Sequence, residues 1–249
     1  MISAGLMMAT GAGTHAQDAV IASATNFADT LSLLETRFEA DTPYEISIVT
    51  GSTGQVFAQI QQGAPFDVFL AADAARPARL AELNLAVASS RFTYASGRLA
   101  LWSRRAGLLD EVDETSLGAL EFRRLAIANP GLAPYGRAAV EVLQHLDLQD
   151  RFEPRIVRGQ NIGQAFALAA TGNADLAFIA IAQLDHPRAP AGSAWRVPSN
   201  LHAPIRQDAV LLTRARDNPA AQAFMEFLQS QDARDIISAA GYGLSLIHI

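Results

Sequence analysis

Short apolar runs alternate with segments of helical spacing along most of this chain of 249 residues. This alternation constrains the fold most, because strand and helix pairs in succession favour βα units and a mostly parallel sheet. We therefore predict an α/β fold. The predicted strands are 20–22, 45–49, 67–70, 99–102, 125–128, 155–157, 176–181 and 209–213.

Between these runs, apolar residues recur on one face of several predicted helices. A further helix is expected to begin at Asn218, because an asparagine cap followed by proline is typical of a helix start. Residues 186–198 are rich in proline and predict a surface connection. The apolar helix positions are Phe27, Leu31, Leu34 and Phe38; Val56, Phe57 and Ile60; Val140, Leu143 and Leu146; and Ile162, Phe166 and Ala169.

Two runs, 92–101 and 202–211, are long enough to cross between two separate sheets. Two crossings imply a discontinuous first lobe, residues 18–95 plus 204–243, and a second lobe, residues 96–203, inserted into it. Spacing alone leaves a single sheet open as the alternative.

Both ends of the chain differ from the rest. Residues 1–17 are mostly small and apolar and include a small-x-small cleavage pattern at Thr14-His15-Ala16, but they carry no positive charge near the start. We interpret them as the remnant of a secretory signal peptide, with a disordered tail as the alternative. Residues 244–249 follow a predicted helix stop, and we expect them to be a non-native tail.

Composition excludes several classes of function. A net charge of −6 without a basic stripe argues against a nucleic-acid partner. The absence of cysteine excludes disulfides, thiolate metal sites and cysteine nucleophiles. The five histidines share no metal-ligand spacing, so we expect no protein-bound metal cation. No run after the N-terminus reaches the ~18 apolar residues of a membrane span.

Four places join a predicted strand directly to a predicted helix through polar residues or glycine: 24–26, 50–54, 133–136 and 159–163. The first N–H groups of a helix lack intrahelical acceptors and carry partial positive charge, so such starts bind anions. Each place alone fits ordinary helix capping. Because strand ends of open α/β sheets face one crevice, together they predict a site for a small oxyanion that needs no cationic side chain.

Other chemistry fits less well. The segment 51–54 is too short for a phosphate-binding loop, and the chain contains no lysine. Ser52 has glycine at the wrong positions for a hydrolase elbow. No cluster of acid, base or nucleophile emerges, so we predict binding without catalysis. An enzyme on a two-lobed fold remains an alternative, as does an effector-sensing domain.

The blocks GAPFDVFLAAD, RFTYASGRLALWS and APYG resemble the periplasmic molybdate-binding proteins of ABC-type importers, and the resemblance covers about residues 18–243. It implies a two-lobed Venus-flytrap fold of type II, with mixed sheets and helices on both faces. It also implies a periplasmic monomer without a cofactor that delivers molybdate or tungstate to a membrane permease with its ATPase. Sulfate is the nearest alternative ligand.

The resemblance also assigns ligand contacts, all of them neutral donors. Ile162 acts through its backbone N–H. One family branch has a tyrosine where this chain has Ala180, and Tyr135 is expected to supply that hydroxyl from another loop. The implied oxyanion-binding residues are Thr25, Asn26, Ser52, Thr53, Tyr135 and Ile162.

Overall fold

The computed structural model describes residues 18–184 and 191–244. The interpreted signal remnant at 1–17 and all but the first residue of the expected tail at 244–249 lie outside the described residues. In the described part of the chain the strands are β1 (Ala19–Ala24), β2 (Ile46–Gly51), β3 (Val68–Leu70), β4 (Phe92–Gly97), β5 (Leu99–Ser103), β6 (Leu125–Ala128), β7 (Ile156–Gly159), β8 (Leu176–Ala180), β9 (Ser193–Arg196) and β10 (Ile205–Leu211).

Helices follow most of the strands, as the alternation predicts. A 3₁₀ turn, Thr25–Phe27, joins β1 to the first helix. The helices are α1 (Ala28–Asp41), α2 (Thr53–Gln61), α3 (Ala75–Glu82), α4 (Pro134–His145), α5 (Gln149–Phe152), α6 (Ile162–Ala170), α7 (Ile181–Leu184), α8 (Pro219–Phe227) and α9 (Gln231–Ala239).

The strands form two five-stranded mixed sheets with matching plans. The first has the order β2-β1-β3-β10-β4, in which β1 is parallel to β2 and β3 while β10 is antiparallel to β3 and β4. The second has the order β7-β6-β8-β5-β9, in which β6 is parallel to β7 and β8 while β5 is antiparallel to β8 and β9. The prediction of a two-lobed α/β fold with mixed sheets is confirmed.

The chain passes between the sheets twice, the first time within the predicted run 92–101 and the second time mostly before the predicted run 202–211. Only Arg98 separates β4 of the first sheet from β5 of the second, and residues 197–204 lead from β9 back to β10. We call the parts built around the two sheets the first and the second lobe. Their exact limits remain a prediction.

Buried aromatic and aliphatic side chains hold the helices of the first lobe to its sheet. The predicted face of α1 is fully buried, and Phe38 meets Phe224 of α8 edge to face at 5.5 Å between ring centroids. The predicted start of α8 is also present, because the Asn218 side chain accepts hydrogen bonds from the N–H groups of Ala220 and Ala221. Burial of such side chains contributes roughly 1.5–3 kcal/mol each.

Two strands were not predicted. Residues 186–198 were expected to be a surface connection, yet β9 within them pairs with β5 and buries Trp195. That expectation is wrong for 193–196, because the proline residues on either side concealed a short edge strand. The second unpredicted strand is β4, which lies in the run 92–101 that was predicted to cross between sheets. Likewise β10 begins four residues before the predicted 209, because its first half carries the polar but buried Gln207 and Asp208.

Within residues 18–184 and 191–244, no helix is both long and apolar enough to cross a membrane.

Gly136 provides a test of how α4 is seated on β6. A Cβ at this position would overlap the carbonyl oxygen of Ala128, which is backbone and has little freedom to move. We expect Gly136→Ala to lower the free energy of unfolding by about 1–3 kcal/mol, the usual cost of overpacking. Urea unfolding measures this loss.

Gly131→Ala is the matched control, since a Cβ there meets nothing closer than the Asn129 Oδ1 atom at 3.4 Å. Equal stability of the two variants would contradict the packing described here.

Candidate functional site

A small cavity lies between the two lobes, with about 190 Å³ of space not filled by atoms, its open mouth included. Every residue that the sequence predicted for the oxyanion site lines this one cavity. The lining residues are Ala24, Thr25, Asn26, Gly51, Ser52, Thr53, Ala72, Ala133, Pro134, Tyr135, Asn161 and Ile162.

The end of β1 brings Thr25 and Asn26 to the cavity. The Thr25 hydroxyl donates to the Gly51 carbonyl oxygen at 2.9 Å, which ties the end of β1 to that of β2. Neither side chain caps the helix that follows. The cap position of α1 is Phe27, without a side-chain hydrogen bond. The capping interpretation of this junction is therefore wrong, because the 3₁₀ turn separates the two polar residues from α1.

The N-terminus of α2 contributes Ser52 and Thr53. Ser52 forms a capping box, in which its N–H and hydroxyl donate to Gln55 Oε1 at 3.1 and 2.9 Å while its Oγ accepts from the Gln55 N–H at 3.2 Å. Both Ser52 donors are thus engaged within the cap. The Thr53 Oγ1 accepts from the Ala72 N–H at 3.1 Å, which leaves its own proton available to a ligand.

The N-terminus of α4 contributes Tyr135. Ala133 occupies the cap position without a side-chain hydrogen bond, and Pro134 begins the helix. The Tyr135 side chain is 1% exposed, and its hydroxyl oxygen accepts from Gln207 Nε2 at 3.2 Å. Desolvation by burial raises the pKa of Tyr135 well above its usual value, so the phenol keeps its proton.

The N-terminus of α6 contributes Ile162. Asn161 caps this helix through Oδ1, which accepts from the Gln164 N–H at 2.9 Å. Ile162 is the first helical residue, so its N–H lacks an intrahelical acceptor. A Cβ at Gly163 would lie 2.6 Å from the Thr25 Cγ2 atom, so only glycine lets α6 approach the first lobe this closely.

Direct hydrogen bonds join the lobes at the rim of the cavity. The Gly54 N–H donates to the Leu132 carbonyl oxygen at 2.8 Å. Arg76 Nη2 donates to the Gly131 carbonyl oxygen at 3.2 Å, and the same guanidinium forms an ion pair with Asp73 of its own lobe. The structure therefore shows the cleft closed.

The cavity is electrically neutral in its side chains, since none of the residues that line it is charged. Positive potential arises instead from the starts of α2, α4 and α6, where the positive ends of the helix dipoles lie. A cavity of this kind offers hydrogen-bond donors to an anion and little to a cation.

Asn26 connects the cavity to a buried network that the sequence analysis did not find. Its Nδ2 donates to Gln207 Oε1 at 2.9 Å and to the Tyr242 hydroxyl at 3.2 Å, which uses both amide protons. Gln207 is fully buried and also contacts Tyr135. A polar residue in a strand gives no periodic signal, so sequence reasoning had no means of placing Gln207 here.

Ala180 lies at the end of β8 and does not line the cavity. Its N–H donates to Gln183 Oε1 at 3.0 Å. Tyr135 does line the cavity, and its role as the source of the hydroxyl stays a prediction.

The described residues offer little for metal chemistry. Within residues 18–184 and 191–244, no group of three or more histidine, cysteine, aspartate or glutamate side chains is placed to hold a metal ion. His145 and His202 line a separate, open cavity together with Glu141.

Two relatives of this chain carry the name molybdate-binding protein. The chain is 44% identical over 245 residues to the molybdate-binding protein ModA of Azotobacter vinelandii, covering 96% of this chain and 97% of that protein. It is 40% identical over 237 residues to ModA of Rhodobacter capsulatus, covering 95% and 92%.

Among solved structures, the Azotobacter vinelandii periplasmic molybdate-binding protein superposes with a TM-score of 0.86 at 41% identity, covering 91% of this chain and 99% of that one. A model of the family described as bacterial extracellular solute-binding protein matches residues 19–243. The chain therefore belongs to the bacterial extracellular solute-binding protein family.

Proposed function

We propose that this protein captures molybdate outside the cytoplasm and delivers it to an ABC-type importer. The observation that carries the proposal is the small cavity at the ends of β1 and β2, to which both lobes supply neutral donors and no charged side chain contributes. The names of its relatives, molybdate-binding proteins at 44% and 40% identity, support the same ligand.

Closure follows from the distribution of donors between the lobes. The first lobe supplies Thr53 and the start of α2, and the second supplies Tyr135 and the start of α6. A dianion in the cleft is fully coordinated only when both sets meet on it. Ligand binding therefore favours the closed arrangement by the difference in its affinity for the two states.

The donor set also accounts for selectivity. Molybdate, tungstate and sulfate are fully ionised near neutral pH and accept hydrogen bonds at every oxygen. Hydrogen phosphate carries a proton, and a site of donors offers that proton no acceptor, which leaves a buried mismatch. We propose that cavity size separates molybdate from the smaller sulfate, and that tungstate is accepted alongside molybdate.

The remaining parts of the proposal follow from the transport role. The protein acts as a periplasmic monomer and binds its cargo without catalysis or a cofactor. Its partners are a membrane permease and the ATPase that drives it. Thr25, Asn26, Ser52, Thr53, Tyr135 and the N–H of Ile162 surround the cargo in this proposal.

The first test is thermal unfolding of the protein at pH 8 with molybdate, tungstate, sulfate or phosphate. A ligand present at about 100 times its dissociation constant stabilises the folded state by about 2.7 kcal/mol. We expect this stabilisation with molybdate and tungstate, less with sulfate and none with phosphate. Equal shifts with all four anions, or none with any, would contradict the proposal.

Two tyrosine variants test whether the stabilisation by molybdate arises in the cavity. Tyr135→Phe removes the hydroxyl of a residue that lines the cavity, whereas Tyr44→Phe removes the hydroxyl of a residue outside it, whose ring stacks on Phe38. We expect only Tyr135→Phe to reduce the shift produced by molybdate.

Variants of two serine helix caps distinguish a loss of folding stability from a loss of molybdate affinity. Ser52 caps α2 at the cavity, and Ser230 caps α9 elsewhere through the same contact, a side-chain oxygen that accepts from a backbone N–H. Ser52→Ala and Ser230→Ala should each cost about 1 kcal/mol of unfolding free energy. Calorimetric titration with molybdate should then show weaker binding for Ser52→Ala alone, because Ser52 holds the start of α2 that lines the cavity. Weaker binding in both would mean that loss of stability, not the cavity, controls affinity.

A further inference from the structure

A chain of buried hydrogen bonds runs from the C-terminal segment of the first lobe to Tyr135 of the second lobe. The Tyr242 hydroxyl donates to the Asn26 carbonyl oxygen at 2.6 Å. Asn26 Nδ2 contacts the Tyr242 hydroxyl and Gln207 Oε1, and Gln207 Nε2 contacts the Tyr135 hydroxyl. All four side chains are at most 5% exposed, so water does not offer them alternative partners.

Each phenol in this chain holds a single proton. Burial is the largest cause that raises the pKa of Tyr135 and of Tyr242 above their usual values, and it does the same for the neighbouring Tyr94. A neutral phenol donates one hydrogen bond and accepts others. The direction of each bond in the chain can therefore be worked out by counting protons.

The first bond fixes the orientation of the Asn26 side chain. A backbone carbonyl oxygen can only accept a hydrogen bond, so Tyr242 donates its one hydroxyl proton to the Asn26 carbonyl oxygen. The Tyr242 oxygen can then act toward the Asn26 side chain only as a hydrogen-bond acceptor. The group that faces it must be the amide nitrogen of Asn26, because the amide oxygen in that place would meet another acceptor.

The same counting of protons gives the direction of the hydrogen bonds between Asn26 and the cavity. The second amide proton of Asn26 points at Gln207, so Gln207 presents its Oε1 to Asn26 and its Nε2 to Tyr135. Tyr135 accepts that bond, so its own proton is not used by Gln207 and can be donated to a ligand in the cavity that Tyr135 lines.

We propose that Tyr242 and Gln207 are positioning residues that orient the Tyr135 hydroxyl as a donor to the bound oxyanion. The proposal rests on the oxyanion-binding function proposed above and extends it to residues that do not line the cavity. Gln207 lies on β10 of the first sheet and Tyr135 on α4 of the second lobe, so this relay also couples the donor to the closed position of the lobes.

The backbone holds the start of the relay in place. Gly243 and Ser96 exchange two backbone hydrogen bonds, at 2.7 and 2.9 Å. Arg98 donates to the Gly241 carbonyl oxygen from both Nε and Nη2, at 2.9 and 2.6 Å. Tyr242 sits between these two anchors, next to the point where the chain crosses between the lobes.

A double-mutant cycle with molybdate tests the relay. Tyr135→Phe should weaken molybdate binding about 10- to 100-fold, the usual value of a hydrogen bond to a charged group. Tyr242→Phe and Gln207→Met, each in the otherwise unchanged protein, should weaken it about 3- to 10-fold. In the Tyr135→Phe background the same two changes should cost less than about twofold, because the hydroxyl that they orient is gone.

Tyr94→Phe is the matched control. Tyr94 is also a buried tyrosine, and its hydroxyl has two acceptors within reach, Gln207 Oε1 at 3.1 Å and the Ala71 carbonyl oxygen at 3.3 Å. Without it, Asn26 still donates to Gln207 Oε1 and holds the amide in the same orientation. We expect the affinity of this variant for molybdate to stay within about twofold of the unchanged protein. Thermal unfolding without ligand verifies that each variant is folded. If Gln207→Met does not fold, Tyr242→Phe, which loses only a hydroxyl, tests the relay by itself.

The outcomes separate the two proposals. Effects of Tyr242→Phe that are equal with and without the Tyr135 hydroxyl, or a loss in Tyr94→Phe as large as in Tyr242→Phe, would overturn the relay while oxyanion binding stands. Failure of the unchanged protein to bind molybdate, tungstate or sulfate would overturn the proposed function and the relay with it.

Discussion

The structure depends on helix starts that face one another across the boundary between two lobes. The first turns of α2, α4 and α6 all meet at one cavity, where the positive ends of their dipoles lie. Because the cavity is lined without a charged side chain, the proposed site holds its anion by dipoles and hydroxyls, without a fixed counter-charge that would oppose release.

The closed cleft requires small residues where the lobes touch. Gly163 lets α6 reach Thr25, and the Gly54 N–H reaches the carbonyl oxygen of Leu132 directly. The buried bond from Gln207 to Tyr135 adds a further contact between the lobes. In the proposed function, binding and closure are therefore coupled, since Tyr135 belongs both to the site and to the contacts between the lobes.

Much of this arrangement could be predicted from the sequence. Strand ends followed at once by polar helix starts predicted the position of the cavity, and the family resemblance named six residues that all line it. Local patterns could not show how hydroxyls are engaged. The N–H and hydroxyl of Ser52 both donate to Gln55 Oε1. The Thr25 hydroxyl bonds the end of β1 to that of β2 and does not cap α1. Gln207 and Tyr242 were beyond reach, because their roles arise from contacts across more than seventy residues of sequence.

The central claim is that an oxyanion occupies the neutral cavity between the lobes. A crystal structure of the molybdate complex, with the metal located by its anomalous scattering, tests it most directly. The account predicts one molybdenum peak in this cavity, with ligand oxygens about 2.7–3.2 Å from Thr53 Oγ1, the Tyr135 hydroxyl and the Ile162 nitrogen. A peak held instead by arginine side chains outside the cavity, or a Tyr135 hydroxyl turned away from the ligand, would contradict it.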